Sequence, residues 1–461
     1  MPKLSFHGAD RGVTGSCHLI ECGAHRVLID CGFYQGGDEP DQGNARPFGF
    51  DPATIDFVLL THAHLDHCGR LPLLVRRGFH GEMITTDASR ELARLVMLDA
   101  ANLQEEEARS ESRSAGRQGA EPTVPLYSVL DAVNTVGYFG RTAAYDEPME
   151  VCPGVEATFL DAGHILGSAS ILLQLTESER RVRVLFSGDL GNAGQPLLRM
   201  PAKPPAADAV VMETTYGDRL HKPIQASVEE LYAAISDTFS RGGNVVIPTF
   251  ALERAQAILY FLREGLKRNR LPRTMQVFLD SPMAISATEI FRHHPECYDK
   301  ATAALFQAGN DPLSFSGLHL ARETADSKAL NGIAAGAVIM AGSGMCTGGR
   351  VQHHLKHNLW RSESSVVFVG YAAQHTLARQ IIDGAKRVQI LGEDIPVRAH
   401  VHTINGFSAH ADQAELLAWH RQTDAGRTFL VHGEERTMRQ FASLLKKTGV
   451  EMPVLHQQFD L

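Results

Sequence analysis

The sequence predicts an α/β protein in which one metal-binding domain is interrupted by a block of alternating strands and helices. Two observations predict this. Short apolar runs end repeatedly in His, Asp or Glu at the start of a loop, before residue 216 and again after residue 400. Between them, residues 227–391 alternate helical and strand patterns, which implies a mostly parallel sheet covered by helices on both faces. At 461 residues the chain is too long for one ordinary core, so two or three domains are expected.

Composition narrows the classes. With 44% hydrophobic and 21% charged residues the chain has the make-up of a soluble globular protein. No apolar stretch approaches the roughly 20 residues a membrane span needs, and Met1–Gly8 carries no apolar leader region. Seven cysteines, an odd count without a C-x-x-C pair, argue against a disulfide framework and for a reducing compartment. No membrane partner and a cytoplasmic location are therefore expected. The formal charge of −9 lacks the basic footprint of phosphate binding, although carboxylates set aside for metal ions carry part of that acid.

Taken in order, residues 17–21 and 26–32 read as the first strands, joined near Gly23. Asp30 ends the second of them, where it reads as a turn residue. The apolar run Phe57–Leu60 reads as a buried strand. It stops at Thr61 and delivers His62, His64, Asp66 and His67 within six positions. Imidazole and carboxylate are the donors that suit zinc and its neighbours. A turn can aim His62 and His64 at one ion, leaving Asp66 and His67 to face a second. Cys31 and Cys68 lie close by and are read as packing. Residues 71–78 read as a helix, and 87–115 as a long amphipathic one with Asp87 as its N-cap. The polar end of that helix, with residues 116–125, is expected to be exposed and mobile. Strand patterns then lead to His164 in a Gly-flanked loop, to Asp189 after Val182–Phe186, and to Glu213 after Ala209. His164 and Asp189 are each an open candidate alone; with residues 62–67 they supply donors for two ions.

In the alternating block, Ser227 and Glu230 read as a capping box for a helix that stops at Gly242-Gly243. Strands are expected at 245–248, 275–280, 337–341, 365–370 and 387–391, and helices at 253–267, 284–292, 350–358 and 376–383. Ligands of such sheets sit beyond the carboxyl ends of the strands. This directs attention to loops 249–250, 280–283, 341–350 and 371–376. The glycine-rich loop 342–349 can turn backbone N–H groups toward phosphate, with Ser343, Gly344, Thr347 and Arg350 as candidate substrate contacts. His353, His354 and His357 read as an exposed helix face. Past residue 400, Phe407–Asp412 precedes a helix and places His410, and Thr428–Glu434 ends a strand with His432.

The motif His62-Ala63-His64-Leu65-Asp66-His67 resembles the metal motif of the metallo-β-lactamase superfamily. A domain of that kind, interrupted by an αβ insert and closed by F-S-A-H-A-D at 407–412 and V-H-G-E at 431–434, resembles the β-CASP nucleases. More narrowly it resembles their RNA-processing branch, prokaryotic relatives of the cleavage and polyadenylation endonuclease included. The stretches Pro248–Gln256, Asp280–Met283 and Gly342–Arg350 carry the likeness through the insert, so it spans essentially the whole chain. It implies a metallo-β-lactamase αββα sandwich formed by residues 1–216 and 393–461, interrupted by a β-CASP α/β domain at 217–392.

The resemblance also implies a zinc-dependent ribonuclease with two zinc ions, manganese being the alternative. His62, His64 and His164 would hold one ion and Asp66, His67 and His432 the other, with Asp189 bridging and Asp30 fixing the ligands from behind. A hydroxide bridging the ions and oriented by Asp66 would attack the phosphodiester. His410, kept charged by Glu213, would protonate the leaving oxygen, giving 3′-hydroxyl and 5′-phosphate ends. His432 favours RNA over DNA, since DNA-processing relatives lack a histidine there. Single-stranded RNA is the expected partner, a homodimer is compatible, and no added RNA-binding domain is expected at either end. One departure is His375, which stands where the family has a small residue. Two alternatives use part of the same pattern. A small-molecule hydrolase of thioesterase or lactonase type would not need the insert or the Glu213–His410 pair. A non-catalytic RNA-processing partner would have lost ligands, and here every ligand position is filled.

Overall fold

The computed structural model describes residues 1–35, 40–116, 123–370, 372–373 and 375–461. Part of the stretch expected to be mobile, residues 117–122, lies outside them, as do Tyr371 and Gln374. The chain divides into two compact units, one made of residues 1–193, 200–220 and 410–461, the other of 194–199 and 221–409.

The first unit is a sandwich of two seven-stranded sheets. One runs in the order Gln458–Asp460, Lys3–Phe6, His18–Cys22, His25–Ile29, Phe57–Leu59, Glu82–Thr85, Phe139–Thr142. The other runs Gly449–Glu451, Arg427–Val431, Ala209–Glu213, Arg180–Phe186, Ala169–Glu177, Val155–Asp161, Pro148–Cys152. Alternation along each strand sends one set of side chains inward. Phe6, Ile20, Val27, Ile29 and Leu59 meet Phe159, Ile171, Val184, Phe186 and Phe429 in a single core. Burying each such side chain fully contributes about 1.5–3 kcal/mol. The opposite face of the second sheet, Leu185, Val210, Met212 and Leu430, packs on Leu416 and Trp419 of helix Gln413–Thr423 and on Met438 and Phe441 of helix Glu435–Ala442. The outward set of the first sheet, Leu28, Val58 and Met83, is also fully buried. The layers are therefore helix, sheet, sheet, helix.

The second unit holds a six-stranded sheet in the order Leu318–Leu320, Gln276–Leu279, Ala337–Ala341, Val245–Pro248, Ser365–Phe368, His400–Thr403. Every pairing in it is parallel. Helix Arg350–Asn358 covers it through Val351, Leu355 and Leu359, packed with Val246, Val366 and Phe368. The all-parallel pairing agrees with the helix–strand alternation of the sequence.

Four local readings are corrected. Arg387–Ile390 is not a strand of this sheet but half of a separate antiparallel ribbon with Glu393–Pro396. The edge place is taken by His400–Thr403. Ser227 caps nothing: the helix runs Ile224–Ser240, and the Ser227 amide already bonds the Pro223 carbonyl. Asp87 is the first residue of helix Asp87–Gly116, and the capping hydroxyl is that of Thr86, 3.2 Å from the Ser89 amide. Of the three histidines expected on an exposed face, His353 and His357 are exposed, but His354 is fully buried with Nε2 2.5 Å from Asp280.

Candidate metal centre

Strands Arg180–Phe186, Ala209–Glu213 and Arg427–Val431 lie side by side and parallel, so their carboxyl ends open at one edge of the second sheet. Asp189, Glu213 and His432 leave the sheet there. The first sheet brings His62–His67 to the same place. Strand Phe57–Leu59 runs out into residues 60–64, and a single helical turn, Leu65–Cys68, follows with His64 as its N-cap. Two glycines allow the loops to close on one another. A Cβ on Gly32 would lie 1.6 Å from the Asp66 carbonyl oxygen, and one on Gly191 1.9 Å from that of Gly163.

The donors form two clusters. His62 Nε2 and His164 Nε2 are 3.1 and 3.2 Å from His64 Nδ1. His67 Nε2 is 3.3 Å from His432 Nε2, which is 3.4 Å from Asp66 Oδ2. Asp189 Oδ2 lies between them, 3.5 Å from His62, 3.4 Å from His67 and 3.6 Å from His164. Atoms of His62, His64, His164 and Asp189, and likewise of Asp66, His67 and His432, lie within the span that one metal ion bridges.

The hydrogen bonds behind these groups decide which nitrogen faces the centre. Asp30, buried and left-handed at φ 60°, accepts from the Thr61 amide at 2.8 Å, the Thr61 hydroxyl at 2.9 Å, the Ser16 hydroxyl at 3.2 Å and His67 Nδ1 at 2.7 Å. Since the Thr61 hydroxyl donates to Asp30, its oxygen accepts from His62 Nδ1 at 3.1 Å. The Thr215 hydroxyl donates to the His432 carbonyl and so accepts from His432 Nδ1, both at 3.2 Å. The Nε2 lone pairs of His62, His67 and His432 are thus turned into the same space. Lone pairs 3.3 Å apart repel one another unless a cation lies between them, so the donor set fits a metal.

At His62 and His64 the electrostatics agree. Burial, with the neighbouring His67, holds His62 well below the ordinary histidine range, and burial brings His64 down to about 4. Both are in the neutral form a metal requires. Burial opposes charge on Asp189, His67 and His432 alike, yet the carboxylate and the two imidazoles favour one another's charged forms, so without an ion the protons on these imidazoles stand where a cation would.

His410 stands beside the clusters. Residues 410 and 191 form a backbone bridge, and the Ala411 amide bonds the Leu190 carbonyl. Nδ1 of His410 is 3.3 Å from Glu213 Oε2 and 3.9 Å from Asp189 Oδ2. Its side chain is 22% exposed, whereas that of Glu213 is buried and also accepts the Leu190 amide at 2.6 Å. Burial disfavours the imidazolium, but Glu213 outweighs it and raises the His410 pKa. The cap of the following helix is Asp412, paired with Glu415 in a capping box, so His410 has no capping task.

The remaining candidates sit in the second unit. Ser343 Oγ is 3.2 Å from Thr347 Oγ1 and accepts the Thr347 amide at 3.1 Å, which folds the glycine-rich loop on itself. Gly344 packs on the Phe250 ring. The Arg350 guanidinium is engaged by Asp280 at 2.7 Å and by the carbonyls of Ala321 and Arg322, at 2.9 and 2.8 Å. His375 is exposed at φ 65°, a conformation that glycine adopts most cheaply. Sequence reading missed Ser16 and Thr215. The only signal for Ser16 was a polar residue in step with His18, Ile20 and Cys22, the positions of that strand that face inward.

Comparison with known proteins agrees with this geometry. Residues 10–249 match the metallo-beta-lactamase superfamily, 255–381 the Beta-Casp domain, and 394–455 the Zn-dependent metallo-hydrolase RNA specificity domain. The chain belongs to the β-CASP branch of the metallo-β-lactamase superfamily. It is 42% identical over 445 residues to Ribonuclease TTHA0252 of Thermus thermophilus, covering 96% of each chain. It is 31% identical over 457 residues to Transcription termination factor FttA of Methanocaldococcus jannaschii, covering 96% of this chain and 69% of that one. The FttA of Pyrococcus horikoshii is also 31% identical, over 469 residues, with 97% and 69% covered. A crystal structure of a protein of unknown function from Enterococcus faecalis V583 shares the fold over the full length of both chains, with a TM-score of 0.55 at 11% identity.

Proposed function

We propose that this protein is a metal-dependent ribonuclease that hydrolyses single-stranded RNA. The observation that carries the proposal is the Glu213–His410 pair standing against a two-cluster donor set, because a proton donor beside two metal positions is the equipment of phosphodiester hydrolysis. We assign His62, His64 and His164 to one zinc ion, Asp66, His67 and His432 to a second, and Asp189 to both. The His-rich donor set favours zinc over manganese. When bound, the two ions supply an acidified water as nucleophile and positive charge for the scissile phosphate.

The chain's own groups do the rest. The Asp66 carboxylate, 16% exposed at the rim of its cluster, orients the attacking water. His410, held protonated by Glu213, gives its proton to the departing 3′ oxygen, leaving a 3′-hydroxyl and a 5′-phosphate. Asp30 keeps His67 in the tautomer that presents Nε2. We assign Ser343, Gly344 and Thr347 to contacts with RNA phosphates, and give Arg350 the task of holding their loop through Asp280. Among the described residues no helix is long and apolar enough to cross a membrane, and all seven cysteines are buried and outside any disulfide. Both support a cytoplasmic location.

The test is cleavage of 5′- and 3′-labelled single-stranded RNA by zinc-loaded protein, with matched DNA as competitor. His410→Ala should lower the rate about 10²–10⁴-fold while zinc content stays the same. Full activity in that variant, or equal cleavage of DNA, would overturn the assignment.

A further inference from the structure

We propose that His18 is a positioning residue for the metal centre, acting through Ser16 and Asp30 on His67, and through one buried water on Asp189. The inference rests on the two-ion reading of the site.

His18 lies on the inner face of the first sheet, opposite Phe6 and Ile29 in register, and is 3% exposed. Its ring meets Phe6 edge-on at 5.3 Å and stacks on Phe186 at 6.2 Å. A polar ring in that place is costly unless both of its nitrogens are satisfied. One is. His18 Nε2 is 3.4 Å from Ser16 Oγ, whose hydrogen goes to Asp30 Oδ2. His18 therefore donates through Nε2, and the line His18–Ser16–Asp30–His67 ends on a proposed ligand.

The second nitrogen leads to the water. With Nε2 protonated, Nδ1 is an acceptor, and it is buried with no partner. Burial, then the nearby His67, brings the His18 pKa down to about 3, which keeps that acceptor unprotonated. Asp189 Oδ1 is likewise buried with no hydrogen-bond partner. His432 Nδ1 stays at 3.6 Å from it and is already bonded to Thr215. Both orphaned atoms belong to residues lining one small cavity, whose walls also include the apolar side chains of Ile29, Phe186, Val211 and Val431. The cavity leaves about 20 Å³ open to the centre of a water molecule, and about 10–15 Å³ is enough to hold one. Two orphaned acceptors on residues that line one water-sized space call for a ligand with two donors. Water has two. With Oδ1 tied to the floor of the site in this way, Oδ2 is left to face the three imidazoles.

The experiment measures zinc transfer from the loaded full-length protein to a chromophoric chelator, with cobalt absorption spectra as the second readout. His18→Phe preserves the ring and removes both nitrogens. His18→Asn keeps a polar group near the Nδ1 position, and His18→Gln keeps one near Nε2. His18→Phe should release metal about 10–100-fold faster and alter the cobalt spectrum, with Asn and Gln each recovering part of the loss. The melting temperature of the metal-free protein should stay within a few degrees of wild type. Wild-type release rates and spectra in all three variants would overturn the inference while leaving the metal assignment intact. Equal loss in all three, with a lowered melting temperature of the metal-free protein, would overturn it in favour of packing. Failure of the wild type to bind zinc would remove the reading on which it rests.

Discussion

Glu253 provides a test of the second unit that is independent of catalysis. It centres a γ-turn at φ 62° and ψ −58°, with the Arg254 amide 2.7 Å from the Leu252 carbonyl, immediately before helix Arg254–Lys267. The side chain is 2% exposed, and neither carboxylate oxygen has a partner. Burial raises its pKa from 4.5 to about 8, with only Arg254 pulling the other way. The folded pKa is raised, so the carboxyl's contribution to stability is full below pH 4.5 and is lost as the pH climbs to about 8. At about 1.4 kcal/mol per unit, that loss is about 3 kcal/mol at pH 7 and about 4 kcal/mol at pH 8, where the folded carboxyl is itself half ionised. Glu253→Gln keeps the shape and never ionises. Urea unfolding followed by circular dichroism at pH 5, 6, 7 and 8 should show wild type and variant nearly alike at pH 5. The variant should gain with each step, up to about 3 kcal/mol at pH 7. A stability difference that does not change with pH would refute the reasoning, since it would place the carboxyl in contact with water or with a cation.

Two further predictions concern the centre itself. Asp30→Asn leaves the left-handed backbone acceptable but replaces an acceptor of the His67 Nδ1 hydrogen. Metal affinity, read by chelator competition, should fall about 10–100-fold with little change in the melting of the metal-free protein; an unchanged affinity would mean that Asp30 does not set the His67 tautomer. Glu213→Gln removes the charge that raises the His410 pKa, so the pH above which kcat/KM declines should move down. A limb that stays in place would assign the proton donor to another group.

The sequence by itself determined whatever is local. An apolar strand followed by His62, His64, Asp66 and His67 names its donors within a few residues, and the three later strand ends add Asp189, Glu213 and His432. The alternating block was legible because strands buried on both faces are continuous apolar runs. Its two edge strands, Leu318–Leu320 and His400–Thr403, went unread because an edge is half covered and tolerates polar residues. His354 was misread since a histidine on a helix looks solvated until Asp280, 74 positions away, is seen beside it. Only the tertiary structure decided the pairing of His410 with Glu213 across 197 residues, the four donors converging on Asp30, and the orphaned acceptors of His18 and Asp189. Such facts depend on strand order and register. Those are settled by the packing of two whole sheets, and no window of neighbouring residues contains them.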